Sequence, residues 1–398
     1  MPLVIHLLGL AVFAMGTSEF MLSGLGPGIA ADLNVSIPAA GALTSAFAVG
    51  MIIGAPLMAI LSLRWSRRRA LLAFLGVFLL VHVIGALTTS FGVLLATRIA
   101  GAFANAGFLA VALVTAVSLV DENAKGRATS ALLGGVTIAC VVGVPGGALL
   151  GQLWGWRAAF WAVALVTVPA LVAITRSVPS SAPGGAQAPN ARRELRALRS
   201  PRLLLTLLLG ALVNGATFCS FTYLAPLLTE VTGLGRAWIP ALLALFGLGS
   251  FVGVTVAGRI ADVRPRPLLV TGSLLLLAGW PVFALVAGSP VPATILVFVQ
   301  GALSFAVGST LIARALYAAT EAPTLAGGYA TAAFNVGGAL GPWLGGLPLT
   351  AGLGYRSPLW VSALLVALAV LVAGTARALT PHRRPLPQPA RSAQNSLS

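Results

Sequence analysis

The chain has 398 residues, of which 58% are hydrophobic and only 8% are charged, and its mean hydropathy is +0.98. Soluble domains carry roughly 25% charged residues, so this composition excludes a water-soluble globular protein. A transmembrane helix needs about 20 consecutive apolar residues, and runs of that kind recur along the whole sequence. Barrel strands would be about 10 residues long and would alternate in polarity. The composition therefore predicts an all-α integral membrane protein.

The hydrophobic runs predict twelve transmembrane helices, which we number as spans 1 to 12. The first run could be taken for a signal peptide. We interpret it as a helix of the protein, because no Lys or Arg precedes it and similar runs follow. The predicted spans cover residues 3–25, 39–62, 70–89, 92–117, 129–152, 158–177, 203–228, 237–258, 267–287, 293–313, 325–347 and 357–378.

Span 1 contains a carboxylate, Glu19, within an apolar run. A charged side chain at the bilayer centre costs about 2.5–3.5 kcal/mol on insertion scales. Span 4 carries Arg98 at a similar depth, so the two side chains are expected to meet. Burial favours the protonated form of a carboxyl group, and a nearby arginine favours the charged form. We favour Glu19 as a proton carrier coupled to substrate; the alternative is a static ion pair that holds spans 1 and 4 together.

The other polar residues of spans 3 and 4 allow two interpretations each. Arg98 either tunes the charge of Glu19 or only fixes helix packing. Asn105 lies seven residues further on, on the same helical face, and its amide could contact substrate or hydrogen-bond a neighbouring helix. We interpret His82 in span 3 as a packed or hydrogen-bonded side chain rather than a proton relay, since buried polar groups normally have partners.

Glycines recur at matching positions in spans 5 and 11. Small residues spaced i, i+4, i+8 form one smooth face that lets another helix backbone approach closely, and we expect these faces to permit sliding. The two sets are related by a constant offset of 194 residues: Gly134, Gly143, Gly147 and Gly151 correspond to Gly328, Gly337, Gly341 and Gly345.

The stretch 180–200 is rich in Pro, Gly and Ala and then basic, which is typical of a linker. The halves on either side repeat each other, since Pro27 and Pro226 are 199 residues apart and so are Arg67 and Arg266. Repeated six-helix halves are typical of transporters with a substrate site between the halves near the midplane. The sequence thus predicts two pseudo-symmetric six-helix bundles with these bounds: bundle 1–178, central loop 179–201, bundle 202–380 and tail 381–398.

The net charge of +16 is distributed unevenly between the two sides of the membrane. With the spans in place, 20 of the 24 Lys and Arg residues fall in the loops and tail of one side, and Arg157, Arg236 and Arg356 fall on the other. Under the positive-inside rule this predicts a plasma (inner) membrane protein with both termini and the central loop in the cytoplasm. The charge then contacts anionic headgroups, and no basic face indicates nucleic-acid binding.

Several stretches carry motifs of one transporter family. "GRIADVRPRP" after span 8 matches the signature Gly-x-Leu-Ala-Asp-Arg-x-Gly-Arg-Arg at Gly258, Asp262 and Arg266, whereas "AILSLRWSRRR" after span 2 has Ala59 and Leu63 in place of Gly and Asp. "RIAGAFANAG" in span 4 resembles the family's Arg-containing signature, and "GVPGGALLG" in span 5 resembles its antiporter signature. The whole chain thus resembles the major facilitator superfamily, in its twelve-helix drug:proton antiporter branch.

A closer resemblance is densest in the first half. The run from Gly16 to Ile60, together with "GGVTIACVVGVPGGALLGQLWGWRAAFW", is similar to actinomycete chloramphenicol exporters. The resemblance implies a major facilitator fold and efflux of chloramphenicol-like phenicols by proton exchange. Gating or structural roles are expected for the span 5 face and the inner loop of the second half: Gly143, Pro145, Gly147, Gly151, Asp262 and Arg266.

Substrate contacts are expected on the facing surfaces of the two bundles. Phe218 lies 199 residues after Glu19, so an aromatic ring takes the place of the carboxylate in the second half. An acidic, apolar cavity suits neutral or cationic lipophilic drugs better than anions, although each aromatic could serve only in packing. The candidate contacts are Met15, Leu22, Asn105, Asn214, Phe218 and Tyr223.

Other functional classes lack their motifs. The single lysine, Lys125, follows Ala124, so there is no GxxxxGK[ST] loop for an ATP-driven pump. The three histidines form no enzyme or metal constellation. We predict a monomeric transporter without cofactor or metal, whose partners are a lipophilic drug, protons and the bilayer. The alternative is a proton-coupled exporter of a sugar, arabinoside or amino-acid metabolite, which would need more hydrogen-bonding residues on the facing helices.

Overall fold

A computed structural model describes residues 3–62, 65–121, 125–178, 200–260, 265–318 and 326–379. This part of the chain is helical and contains no strand, which confirms the predicted all-α class. The α-helices are α1 (Leu3–Phe20), α2 (Leu22–Asp32), α3 (Ile37–Ser62), α4 (Arg67–Leu87), α5 (Phe91–Ser118), α6 (Lys125–Ile138), α7 (Val144–Trp154), α8 (Trp156–Ser177), α9 (Pro201–Thr222), α10 (Leu224–Glu230), α11 (Ile239–Ile260), α12 (Pro265–Val286), α13 (Pro290–Ala318), α14 (Ala326–Thr350) and α15 (Ser357–Leu379).

Within the described residues, 11 helical segments are long and apolar enough to cross a membrane. The predicted span 11 is α14, which has 25 residues but is not among those 11 segments. Its many glycines, together with Asn335 and two internal prolines, dilute its hydropathy. It nevertheless packs along α3 and α9, so it occupies the place of a transmembrane helix.

Spans 1 and 7 are each interrupted near one end. Span 1 was predicted as one helix over 3–25; it consists of α1 and α2, separated at Met21, and it continues to Asp32. Span 7 consists of α9 and α10, separated at Tyr223. Each short helix contains a proline, Pro27 or Pro226. Proline cannot donate to the carbonyl four residues earlier, which for Pro226 is the carbonyl directly before the interruption and for Pro27 lies within α2.

Span 5 contains a π-helical turn between α6 and α7, at Ala139–Gly143. Pro145 follows as the second residue of α7, where its missing N–H leaves carbonyls of the preceding turn without their usual partner. Single π turns inside α-helices are frequent at functional sites. The corresponding segment of α14 is regular helix, so the two equivalent spans differ at this point.

Each half of the molecule has its own buried apolar core. The first is formed by residues of α1 to α6 and α8, and the second by residues of α9 to α13 and α15 together with Val144 and Ala148 of α7. Between the halves, α3 packs along α14, and α7 with the π turn packs against α11. The halves also approach each other closely at Gly41 of α3, where an added Cβ would lie 3.0 Å from the Cζ of Tyr223.

Candidate substrate and proton site

A cavity of about 350 Å³ lies between the two halves. The first half contributes residues of α1 and α3, and the second contributes residues of α9, α11, α13 and α14. Phenylalanine is the commonest residue type in the lining. The lining residues are Glu19, Phe20, Thr44, Phe47, Ala48, Asn214, Thr217, Phe218, Val254, Ser304, Phe305, Gly308, Ser309, Ile312, Phe334, Asn335 and Gly338.

Glu19 is the charged residue of this lining. It is the penultimate residue of α1, two positions before the interruption at Met21. Its side chain is partly buried, and among the described residues its carboxylate makes no hydrogen bond and no ion pair. The carboxylate is therefore available to a proton or to a ligand in the cavity.

Arg98 of α5 is buried and lies near Glu19, close enough to attract its carboxylate electrostatically. Its hydrogen bonds go elsewhere. Nη1 donates to the Ser18 hydroxyl at 2.8 Å, and Nη2 donates to the Ser18 carbonyl at 2.9 Å. The guanidinium also lies over the ring of Phe47, 4.5 Å from its centroid, a favourable cation–π arrangement. Arg98 is thus held by the residue adjacent to Glu19 and not by Glu19 itself.

The hydrogen bonds around Ser18 have a fixed direction. His82 Nδ1 lies 2.7 Å from the Phe78 carbonyl, which can only accept, so Nδ1 carries the proton. In the neutral ring Nε2 is then an acceptor, and it receives the Ser18 hydroxyl proton over 2.6 Å. The Ser18 oxygen in turn accepts from Arg98. This chain of donors is complete only while His82 is neutral.

Phenylalanine rings form a row from the first half into the second. Phe20 contacts Phe218 with centroids 5.7 Å apart, and Phe218 meets Phe221 edge-on at 6.3 Å. Phe221 stacks on Phe246 at 4.6 Å. Phe20 and Phe218 of this row line the cavity. Aromatic surfaces of this kind bind apolar rings at little cost in side-chain entropy, so the cavity offers flat apolar walls beside the carboxylate of Glu19.

Comparison with known proteins identifies the family. The sequence matches the profile of the Major Facilitator Superfamily over residues 8–313 and 237–398. The chain belongs to the Major Facilitator Superfamily. This match confirms the resemblance inferred from the sequence motifs. Members of this family are transporters and not enzymes.

Two relatives illustrate the similarity within the Major Facilitator Superfamily. This transporter is 57% identical over 378 residues to the "Chloramphenicol resistance protein" of Streptomyces lividans, which covers 94% of this chain and 96% of the relative. It is 37% identical over 366 residues to the inner membrane transport protein YdhP of Escherichia coli K12, which covers 92% and 93% of the two chains. The match to a multi-pass membrane transporter therefore extends over nearly the whole sequence.

Solved structures show the same fold at low sequence identity. A bacterial homolog of the human lysosomal transporter Spinster, inward-facing and occupied, superposes with a TM-score of 0.76 at 17% identity, covering 95% of this chain and 97% of the other. The inward-facing, unoccupied form gives a TM-score of 0.73 at 19% identity and covers 94% of each chain. The transporter therefore has the major facilitator fold.

The structure brings only some of the predicted substrate residues to the cavity. Asn214 and Phe218 line it together with Glu19. The other four lie outside the lining and are buried. The hydrogen bonding of two of them differs. Tyr223 donates its hydroxyl to the Pro342 carbonyl at 2.7 Å, and the Asn105 Oδ1 has no hydrogen-bond partner among the described residues. The four are Met15, Leu22, Asn105 and Tyr223.

The predicted gating residues fall into two groups. In span 5, Gly143, Gly147 and Gly151 face span 1, because Cβ atoms added there would meet Thr17, Met21 and Leu25 respectively. Pro145 is buried at the start of α7. Arg266 is exposed at the start of α12, and Asp262 lies outside the described residues. The roles predicted for these residues remain predictions.

Several site residues were not predicted from the sequence. Phe20, Phe47, Phe334 and Asn335 line the cavity, and Ser18 holds Arg98. An asparagine inside an apolar span is a recognisable signal, so Asn335 could have been found by the logic applied to Asn214. The phenylalanines could not, because apolar rings in a membrane protein are usual in every span. Among the described residues, no group of His, Cys, Asp or Glu could hold a metal ion.

A second charged cluster joins α2, α4 and α8 at their shared end. Arg157 forms an ion pair with Asp32 at 2.5 Å, and it donates to the Thr88 carbonyl at 3.0 Å. Trp156 Nε1 donates to the same Asp32 oxygen at 3.1 Å. The hydrogen bonds from Arg157 and then from Trp156 lower the pKa of Asp32 below its ordinary value. This cluster ties helices of the first half together.

Proposed function

We propose that this transporter exports chloramphenicol or a closely related phenicol from the cytoplasm in exchange for protons, by alternating access. The observation that carries the proposal is a carboxylate, that of Glu19, which has no ion-pair partner in the described part of the chain and lies in an aromatic cavity between the two halves. The relative named for chloramphenicol resistance, 57% identical over most of the chain, supports the choice of cargo.

The dimensions and chemistry of the cavity support a small lipophilic cargo. Pockets for drug-sized molecules have volumes of about 300–1,000 Å³, and the cavity has about 350 Å³. Phenicols combine one aromatic ring with hydroxyl and amide groups, which suits phenylalanine walls that carry a few polar side chains.

Proton coupling is assigned to Glu19. Its carboxylate faces the cavity, so cargo and proton can reach the same group. Arg98 is bound to Ser18. Its positive charge favours the ionised form of Glu19, and it makes no hydrogen bond to the Glu19 carboxylate. In the proposed cycle Glu19 takes up a proton from the outside and releases it to the cytoplasm, and cargo occupies the cavity while Glu19 is ionised.

The proposed orientation follows the positive-inside rule, with both termini and the central loop in the cytoplasm. The contacts of Gly41 with Tyr223 and of Gln152 with the Arg236 carbonyl then lie towards the outside. They hold the two halves together at that side, which supports an inward-facing conformation in which cargo enters from the cytoplasm or the inner leaflet.

The test combines resistance with transport. A drug-sensitive bacterial host expressing the chain should tolerate several-fold more chloramphenicol, and everted membrane vesicles should accumulate labelled drug only when a pH gradient is present. Glu19→Gln should abolish gradient-dependent accumulation, because the amide cannot exchange a proton. Glu230→Gln is the matched control, since Glu230 is exposed at the end of α10.

Two outcomes would contradict the proposal. Export by Glu19→Gln that still responds to the gradient would remove Glu19 from coupling. Protection against none of the phenicols, with export of sugars or amino acids instead, would support the alternative cargo class.

A further inference from the structure

The uncharged polar side chains of the cavity share a feature that determines what they can bind. Seven lining residues have polar side chains: Glu19, Thr44, Asn214, Thr217, Ser304, Ser309 and Asn335. Hydroxyl and amide groups can in general both donate and accept hydrogen bonds, whereas an ionised carboxylate can only accept. Which capacity remains for a ligand depends on the bonds that each group already makes inside the protein.

Two hydroxyl groups of the lining donate their proton in hydrogen bonds within the protein. Thr217 Oγ1 donates to the Val213 carbonyl at 2.9 Å, and Ser309 Oγ donates to the Ala306 carbonyl at 3.2 Å. Such bonds to the preceding helical turn are common for Ser and Thr. A hydroxyl has one proton, so the oxygens of Thr217 and Ser309 retain only lone pairs for a ligand.

Two amide groups of the lining also donate to backbone carbonyls. Asn214 Nδ2 donates to the Phe334 carbonyl at 2.6 Å, and Asn335 Nδ2 donates to the Thr331 carbonyl at 2.9 Å. A carbonyl oxygen can face only the NH₂ end of an amide, so these orientations are fixed by chemistry. The oxygen of each amide is directed away from that carbonyl and has no hydrogen-bond partner among the described residues. Each NH₂ group has two protons and uses one of them in the bond named, so each amide keeps one N–H beside its free oxygen.

Acceptors therefore outnumber donors in the cavity. Glu19, Asn214, Asn335, Thr217 and Ser309 present oxygen lone pairs, whereas the donors that remain are one N–H on each of the two amides and the hydroxyl protons of two further residues. Thr44 and Ser304 are the lining hydroxyls without a partner among the described residues, and the Ser304 oxygen is buried. A ligand rich in acceptors alone would leave these oxygens unpaired in an apolar setting, which is costly.

We propose that the cavity recognises its cargo through the cargo's own hydrogen-bond donors, namely hydroxyl, amide N–H or ammonium N–H groups, and rejects molecules of the same shape that lack them. The proposal rests on the proposed function for the identity of the cargo. Phenicols carry two hydroxyl groups and one amide N–H, so they can pair with acceptors from both halves at once. The second half, through α9 and α14, supplies most of this recognition.

Matched ligand pairs test the donor requirement directly. Thiamphenicol and florfenicol differ by replacement of one hydroxyl with fluorine, and 2-phenylethylammonium differs from its N-trimethyl derivative by the loss of N–H donors at constant charge. Equilibrium binding to the purified full-length chain in lipid nanodiscs should favour the donor-bearing member of at least one pair by about tenfold.

Two variants locate the effect, and a third serves as the control. Thr217→Val and Asn335→Leu should each reduce the ratio within the sensitive pair several-fold, because each removes a cavity acceptor. Thr167→Val makes the same chemical change in the core of the first half, where Thr167 donates to the Val163 carbonyl at 2.7 Å and is fully buried. It should retain the ratio of the unmodified chain.

The proposal is overturned if both pairs bind with ratios near one, or if neither Thr217→Val nor Asn335→Leu changes the ratio. Failure of the proposed function is a separate result, namely no chloramphenicol resistance in cells. A donor-dependent ratio in the ammonium pair would then still support donor recognition. Circular dichroism and size-exclusion profiles identify a variant that has lost its fold, and the other variant then decides the test.

Discussion

Glu19 in the first half and Phe218 in the second half are separated by the same 199 residues that relate Pro27 to Pro226. Around Glu19 lie a buried arginine, a serine and a histidine linked by hydrogen bonds. Around Phe218 lie other phenylalanine rings. The two halves have one architecture but contribute different polar groups to the cavity: the first contributes the carboxylate, and the second contributes the amide oxygens. Both contribute phenylalanine rings.

Equivalent helices also differ in their regularity. The glycine sets of spans 5 and 11 keep one offset of 194 residues on both sides of the π turn, so span 5 contains no extra residue relative to span 11. The π turn is thus a local change of hydrogen bonding and not an insertion. Duplicated helices in this transporter have diverged in conformation at constant length.

The largest effect is expected from moving the charge between the halves. In the double variant Glu19→Gln with Phe218→Glu, the new carboxylate would lie among phenylalanine rings, while Arg98 would remain bound to Ser18 in the other half. We expect drug accumulation equal to that of cells without the transporter. Phe218→Leu alone should retain folding and part of the export. Restored gradient-dependent export by the double variant would show that either half can carry the charge.

The next effect concerns the polar network of the first half. Ser18→Ala removes the hydroxyl that accepts from Arg98 Nη1 and donates to His82, while the backbone carbonyl that accepts from Nη2 remains. Two buried groups are left unsatisfied, one of them charged. We expect the free energy of unfolding to fall by about 3 kcal/mol, measured as a lower melting temperature in detergent. Ser23→Ala is the control, because Ser23 is also buried in span 1 but donates only to the Phe20 carbonyl. Equal melting temperatures of the two variants would contradict the claim that the Ser18 hydroxyl stabilises the fold through Arg98 and His82.

A smaller effect is expected from filling the glycine face of span 5. A Cβ at Gly143 would lie 2.9 Å from the Thr17 Cβ, and overpacking of this kind costs about 1–3 kcal/mol. Gly146→Ala is the matched control, since a Cβ there would meet no atom within 4 Å. Melting temperature and drug export of the two variants should differ clearly. If Gly143→Ala behaves as Gly146→Ala does, the close approach of α1 to span 5 is not required.

The smallest effect is expected at the surface cluster of the first half. The side chains of Arg157 and Asp32 are 31% and 45% exposed, and such pairs contribute about 0.2–1 kcal/mol. Because the pKa of Asp32 is lowered in the folded protein, its contribution is present above the ordinary carboxyl pKa and is lost as the pH falls through the folded value.

Asp32→Asn should therefore lower the melting temperature slightly at neutral pH and should not lower it in strong acid. Asp121→Asn, at an exposed position after α5, serves as the control. A deficit that persists unchanged in acid would mean that the charge of Asp32 is not responsible.

Hydropathy was sufficient to predict most of the fold, because a membrane-spanning helix satisfies its backbone internally and needs only length and apolar composition. It could not predict the interruption at Met21 or the continuation of span 1 to Asp32, since a proline in the last turns can bend a helix as well as end it. The π turn was not predicted either, because a proline such as Pro145 is also compatible with a simple kink or with a helix start.

The candidate site was predictable only where composition is unusual. Glu19, Arg98, His82 and Asn214 stand out because polar residues are rare within apolar spans. The bonds between Ser18 and His82, 64 positions apart in the chain, and between Ser18 and Arg98 depend on the angles between helices, which composition does not determine. The same holds for Tyr223, whose hydroxyl is turned to a backbone carbonyl and not to the cavity.

The attachment of Arg98 to Ser18 has an electrical consequence. A guanidinium is not deprotonated in proteins, and Arg98 is bound to Ser18 of its own half, so under the proposed exchange the charge that varies is the one on Glu19. Under the proposed exchange, one proton against one neutral drug moves a net positive charge inward, and a membrane voltage of 100 mV would then contribute about 2.3 kcal/mol per turnover. Exchange against a monovalent cation would be electroneutral, and voltage would no longer drive it.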